Sequence, residues 1–218
     1  MLKKKKDIPS LHFVTQNSAM GRTPWQQAEL ACRGGAKWVS LRTKNMTYAE
    51  LLPTTLKTKE VCQHFGAIFI VNDNLLLAKE VQADGIHLAT NHTPVDQARM
   101  YLGENAIIGA PANSFEDLKK AVNLGADYIA LGPTRFTKTT EKMMPIIGPA
   151  KFLTIKRMCI EQNINIPLIA TGGVALEDLD IFLDLGMNGI AVSSGINMSA
   201  DPTLETEDIL SHLNRQIV

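Results

Sequence analysis

Nothing in this chain reads as a membrane span, a secretory leader or a disulfide scaffold. No apolar run approaches the about 18 residues that a transmembrane helix needs. Cysteine is scarce: Cys32, Cys62 and Cys159 are odd in number, far apart, and never at metal-ligand spacing. All three fall in segments with a helical pattern, so they read as free thiols packed in a reducing cytoplasm. Charge of one sign is not in excess either. Lys+Arg and Asp+Glu both total 22, which leaves no basic stripe for a nucleic-acid backbone. The lysines at positions 3–6 form the one charge cluster, and no apolar stretch follows them. They read as part of a solvated polar tail over 1–9, with local nucleic-acid contact a distant second. Finally, residues 15–21, after the first strand pattern, lack the G-x-G-x-x-G of a dinucleotide-binding sheet.

What is present is a rhythm. The 218 residues, 45% hydrophobic and 20% charged, suit one domain with a substantial core over 1–218. Apolar strand patterns fall at 11–15, 38–41, 67–71, 86–88, 106–109, 128–131, 168–170 and 189–192. Helical patterns follow at 24–32, 48–64, 75–81, 94–102, 115–124, 149–162, 176–185 and 206–216. Start signals mark several of them: Thr23-Pro24, Thr47, Thr93-Pro94, and Ser114 with Asp117 in the first turn. Near-continuous apolar strands alternating with helices predict a parallel sheet covered by helices. Eight such units in this length predict a closed (β/α)8 TIM barrel.

In that fold the chemistry sits at the carboxyl ends of the strands. Two late strands end in small residues, Thr171-Gly172-Gly173 and Ser193-Ser194-Gly195. Glycine lets backbone N–H groups approach a ligand, so the paired turns point to a phosphate site, although a glycine pair also simply makes a tight turn. After strand two come Ser40, Arg42 and Lys44, whose alternation puts all three on one face, with two cations at the mouth. Asn72 and Asp73 follow strand three, where capping of the next helix is the simpler reading. His87, between Ile86 and Leu88, reads as a hydrogen-bonded core histidine rather than a ligand. Asn91 and His92 follow. The loop 132–148 is long for a compact domain and dense in hydroxyls and cations, which is the signature of a functional loop. Met143-Met144 reads as apolar packing beneath it.

These segments together resemble the thiamine phosphate synthase (thiamine-phosphate pyrophosphorylase) family over nearly the whole chain. The matching stretches are LHFVT at 11–15, GGAKWVSLRTK at 34–44, IVND at 70–73, ADGIHL at 83–88, ANSFEDL at 112–118, GADYIALGPTRFTKT at 125–139, ATGGV at 170–174, and 189–196. The resemblance implies a (β/α)8 barrel that joins an aminopyrimidine methyl diphosphate to a thiazole phosphate, releasing pyrophosphate with Mg2+. It implies further that Arg42, Lys44 and a loop lysine, Lys138 or Lys142, neutralise the leaving pyrophosphate. Ser40 and Asn72 fall on pyrimidine-diphosphate positions, and Asp73 on a Mg2+ ligand. Thr137, Thr139, Gly173, Ser193 and Ser194 fall on the thiazole-phosphate side.

Five changes depart from the family's pattern, all on the diphosphate and metal side. Ser40 stands for a glutamine, Ala89-Thr90 for Gly-Gln or Gly-Lys, and Pro111 for a small hydroxylated residue. His92 stands where a second Mg2+ carboxylate belongs, and imidazole is a poor ligand for a hard cation. Thr140 stands for the loop lysine, with Lys138 and Lys142 beside it. The reading that follows is a cytoplasmic transferase of small molecules, without nucleic-acid or membrane partners and with homo-oligomerisation open. The alternative is a divergent relative without synthase activity: a phosphate-ligand binder, or a tautomerase-like isomerase. The histidine used by the tautomerase branch falls on Asn113, and His92 is the one candidate acid–base left to it.

Overall fold

The computed structural model describes residues 7–89, 93–135 and 145–215. Eight parallel strands close in sequence order into a barrel: β1 Leu11–Val14, β2 Trp38–Leu41, β3 Ile68–Asn72, β4 Gly85–His87, β5 Ile107–Ala112, β6 Tyr128–Leu131, β7 Leu168–Ala170 and β8 Gly189–Val192. The helices around it are α1 Pro24–Arg33, α2 Tyr48–Phe65, α3 Leu75–Glu80, α4 Val95–Leu102, α5 Phe115–Asn123, α6 Pro149–Glu161, α7 Leu179–Asp184, α8 Ser194–Asn197 and α9 Pro202–Arg215. The (β/α)8 barrel expected from the alternation is therefore the observed fold.

Strand alternation divides the core in two. Outward residues such as Phe13, Val39, Leu41, Phe69, Val71, Ile86 and Ile108 pack under the helices in one large cluster. Inward residues Trp38, Ile70, Ile107, Tyr128, Ile169 and Ala191 fill the barrel in a second. His12 joins them, stacked flat on the Trp38 indole at 3.7 Å between ring centroids. Ile8, expected in a polar tail, packs against this inner cluster instead. One apolar residue in a polar stretch carries no periodicity, so nothing local marks it.

The foot of the barrel repeats one device. Asp84, Asp127 and Asn188 each immediately precede or sit one residue before an even-numbered strand, and each accepts a backbone N–H from the odd strand beside it. The donors are Phe69 at 2.7 Å, Ile108 at 2.8 Å and Leu168 at 2.9 Å. These bonds fix the register between neighbours where the ladder begins. Asp127 also receives the buried Arg99 guanidinium at 2.6 Å, tying α4 to the start of β6.

Helix boundaries follow their caps. Thr23 with Gln26 and Thr47 with Glu50 form capping boxes, and Ser114 accepts from Asp117 N. Three elements differ from expectation. β5 runs through Pro111 to Ala112, because a residue paired at the strand's end in a parallel ladder tolerates a missing donor. The expected helix 176–185 opens as a 3-10 turn, Leu176–Asp178. α9 starts at Pro202 rather than Thr206, because Asp201 caps Thr203 N at 3.0 Å and Leu204 N at 3.1 Å ahead of a proline suited to the first helical position.

Candidate active site

At the carboxyl mouth of the barrel the ends of β2, β3 and β4 form one arc. Ser40 lies fully buried and its hydroxyl donates to the side-chain oxygen of Asn72, fixing that amide. Asn72 stands in register with His87, whose ring shares a hydrogen bond of 3.0 Å with the Tyr128 hydroxyl. The following residue, Asp73, takes a left-handed backbone at φ 60, a conformation aspartate accepts more readily than most. That turn swings its carboxylate over the end of β4, where one oxygen accepts Ala89 N at 3.2 Å. Neither residue caps α3. Asn74 does, accepting from Leu77 N at 2.9 Å, so the simpler reading of Asn72-Asp73 does not hold. A third polar residue in a row hid the cap.

The two cations of β2 are held differently from the expected alternation. β2 ends at Leu41, so Arg42 and Lys44 belong to the following loop. Side chains from the end of β1 hold that loop in place of a backbone ladder. Arg42 N donates to Thr15 Oγ1 at 3.1 Å, and Lys44 N donates to Asn17 Oδ1 at 2.7 Å while its carbonyl accepts from Asn17 Nδ2. The Arg42 charge lies close enough to act on His87.

Burial and then the Arg42 charge lower the His87 imidazole to about 4. His12, with neither ring nitrogen hydrogen-bonded, is likewise held neutral by burial and by His87. An unfolded chain protonates both below about pH 6.5, whereas the folded one resists. Stability is therefore complete above pH 6.5 and lost as pH falls towards 4, with His87 contributing a loss of about 3 kcal/mol. We expect a His87→Gln variant to show a shallower decline in urea-unfolding free energy between pH 7 and pH 4.5. Parallel pH profiles for the two proteins would contradict this.

Across the mouth, β7 and β8 lie side by side. Gly172 and Gly173 both have positive φ, 84 and 85. A Cβ on Gly172 would stand 2.6 Å from Pro133 Cβ, and one on Gly173 would stand 2.8 Å from Arg135 Cβ. The pair is thus required by the loop after β6, which crosses directly over it. Gly172 O accepts Thr134 N at 3.0 Å, Arg135 N at 2.9 Å and Thr134 Oγ1 at 2.8 Å. Gly173 remains exposed, as does Ser194, while Ser193 is half-buried with its hydroxyl accepting from Gln16 Nε2 at 3.2 Å.

Asn113 donates to the carbonyls of Gly132 at 2.9 Å and Pro145 at 2.7 Å, so both ends of the loop after β6 hang on one buried amide. Thr137, Lys138, Thr139, Thr140 and Lys142 of that loop, and His92 after β4, lie outside the described residues, as do Thr90, Asn91, Met143 and Met144. Among the described candidates, Ser40, Arg42, Asn72 and Asp73 come together over β2–β4, and Gly173, Ser193 and Ser194 over β7–β8. Lys44 sits beyond them, anchored by its backbone. The sequence reading gives no site role to Thr15, the last residue of the first strand pattern, or to Gln16 and Asn17, which follow it. Their position directly after a strand's carboxyl end was the available signal.

A family model described as thiamine monophosphate synthase matches residues 11–196 of this chain. The chain is 40% identical to the thiamine-phosphate synthase of Bacteroides thetaiotaomicron, over 93% of its own length and 96% of the relative's. It is 38% identical to the thiamine-phosphate synthase of Flavobacterium johnsoniae, over 95% of each. Its fold superposes on thiamine phosphate pyrophosphorylase from Pyrococcus furiosus with a TM-score of 0.83 at 26% identity, covering 94% of this chain and 96% of the other.

Proposed function

Since this chain belongs to the thiamine monophosphate synthase family, we propose that it is a transferase joining an aminopyrimidine methyl diphosphate to a thiazole phosphate, with release of pyrophosphate. The observation that carries this reading is the arc over β2–β4. There the Arg42 charge, near enough to act on His87, accompanies an amide fixed by Ser40 and the Asp73 carboxylate at the end of β4. Such an arc suits a diphosphate leaving group, whose charge grows as the carbon–oxygen bond breaks. Arg42 neutralises that charge, with Lys44 and a loop lysine, Lys138 or Lys142, assisting. The pyrimidine methylene is then captured by the thiazole nitrogen, forming the carbon–nitrogen bond. Gly173, Ser193 and Ser194, with Thr137 and Thr139, hold the thiazole phosphate across the mouth, and Thr140 takes the loop-lysine position on the diphosphate side. No nucleophilic residue is needed, because positioning and exclusion of water suffice.

The donor set suits Mg2+ only in part from the protein: a hard cation takes oxygen ligands, often one or two carboxylates plus substrate phosphate. Asp73 would supply a carboxylate, and His92 is the weaker second candidate. When bound, Mg2+ adds charge neutralisation to the departing pyrophosphate. Three buried free cysteines favour a reducing cytoplasm, and among the described residues no helix is long and apolar enough to cross a membrane. The tautomerase-like alternative draws no support from Asn113, whose amide holds the loop after β6.

Calorimetric titration of each substrate tests the reading. Thiazole phosphate is expected to bind alone, and the pyrimidine diphosphate to bind more tightly with Mg2+ than without. Mixing the two is expected to release pyrophosphate. Binding of thiazole phosphate alone would leave the phosphate-ligand binder as the function and remove the synthase.

A further inference from the structure

The geometry points to residues 15–17 as a clasp that positions both substrate subsites at once, a role resting on the functional reading above. Three consecutive residues each hold one candidate ligand group. Thr15 Oγ1 accepts Arg42 N at 3.1 Å, Gln16 Nε2 donates to Ser193 Oγ at 3.2 Å, and the Asn17 amide pairs with both the N–H and the carbonyl of Lys44. The division of labour follows from topology. β1 lies between β8 and β2 in the closed barrel, so residues just beyond its end can reach either neighbour. By these bonds Thr15 and Asn17 serve the diphosphate side, and Gln16 serves the thiazole-phosphate side.

The clasp is itself rigidly seated. The buried Gln27 of α1 accepts Gln16 N at 2.8 Å and donates to Gln16 O at 3.0 Å and Arg22 O at 2.9 Å. Thr15 is fully buried, and Thr15 N donates to Ser40 O at 3.0 Å. On the β8 side, Asn197 Nδ2 spans Val14 O at 3.0 Å and Ser193 Oγ at 3.5 Å. Arg42, Lys44 and Ser193 are thus set by their neighbours rather than by the strand ladder, which ends before them. Thr15, Gln16 and Asn17 are positioning residues, since the proposed role of each runs through Arg42, Ser193 or Lys44.

The test is a split between substrates. Gln16→Met keeps the chain length and removes the donor. It is expected to weaken thiazole phosphate about tenfold, in calorimetric Kd and in KM, with kcat and pyrimidine-diphosphate affinity within about twofold. Asn17→Ala and Thr15→Val are expected to do the reverse, weakening the diphosphate with Mg2+ about tenfold, and Thr15→Ser is expected to restore it. Melting temperature of each variant separates loss of fold from loss of position. A purely structural loop would move both affinities together, or neither, and either result overturns the clasp. Wild-type protein that binds neither substrate overturns the functional reading first, and the clasp with it. Wild-type protein that binds both, beside variants with unchanged affinities, overturns the clasp alone.

Discussion

Replacing Arg42 by methionine is expected to lower turnover by about two to three orders of magnitude, with little change in the melting temperature. The backbone at this position is held through Arg42 N and Thr15 Oγ1, a bond that any side chain preserves. Methionine also keeps an apolar stem where Arg42 is half-buried. What disappears is the positive charge that acts on His87 and that the proposed reaction uses against the leaving pyrophosphate. Arg42→Lys is expected to fall between the two, since it keeps the charge and loses the planar fork that grips phosphate oxygens. A second readout does not depend on activity. Arg42 helps depress the His87 imidazole, so its removal is expected to move the NMR titration of that ring upward. Turnover within about twofold of wild type would remove Arg42 from the reaction, because a lost charged donor at a transition state costs far more.

Gly109→Ala is expected to be strongly destabilising, costing about 4 kcal/mol or more. A Cβ there would stand 2.0 Å from Cζ and 2.3 Å from the hydroxyl oxygen of Tyr128. The ring has nowhere to go. It is fully buried, packs edge-on against Trp38 at 4.8 Å between centroids, and bonds His87 through its hydroxyl at 3.0 Å. Gly109 is therefore glycine because β5 must leave the width of an aromatic ring to β6. Tyr128→Leu alone is also expected to destabilise, since it deletes packing and that hydrogen bond. The two substitutions together are expected to cost less than their sum, with a coupling of about 2 kcal/mol in a double-mutant cycle read by urea unfolding. Strict additivity would show that Tyr128 is not what Gly109 accommodates.

These two residues mark where local pattern ends. The alternation of apolar runs with capped helices was enough to place eight strands and the closed barrel, because a parallel sheet buried on both faces requires continuous apolar strands. The carboxyl-end rule then named Ser40, Arg42, Asn72, Asp73, Gly173, Ser193 and Ser194 without a single distance. Local reading failed where two signals competed for one position. Asn72-Asp73-Asn74 holds three potential caps, and only the chain's path selects Asn74. Asp201-Pro202 starts α9 a turn before its apolar period begins, so periodicity placed the start too late.

The sequence alone determined the fold and the family, since both depend on periodicity, turn chemistry and the order of short motifs. The tertiary structure decided how the pieces are held. That Ser40 acts on Asn72, that Asn113 fastens the loop after β6, and that Thr15, Gln16 and Asn17 grip residues from β2 and β8 are all consequences of barrel closure. Closure brings residues as far apart as Gln16 and Ser193 within hydrogen-bonding distance. A side-chain hydrogen bond between distant segments leaves no period and no spacing in the chain, and it exists only once the first strand has found the last.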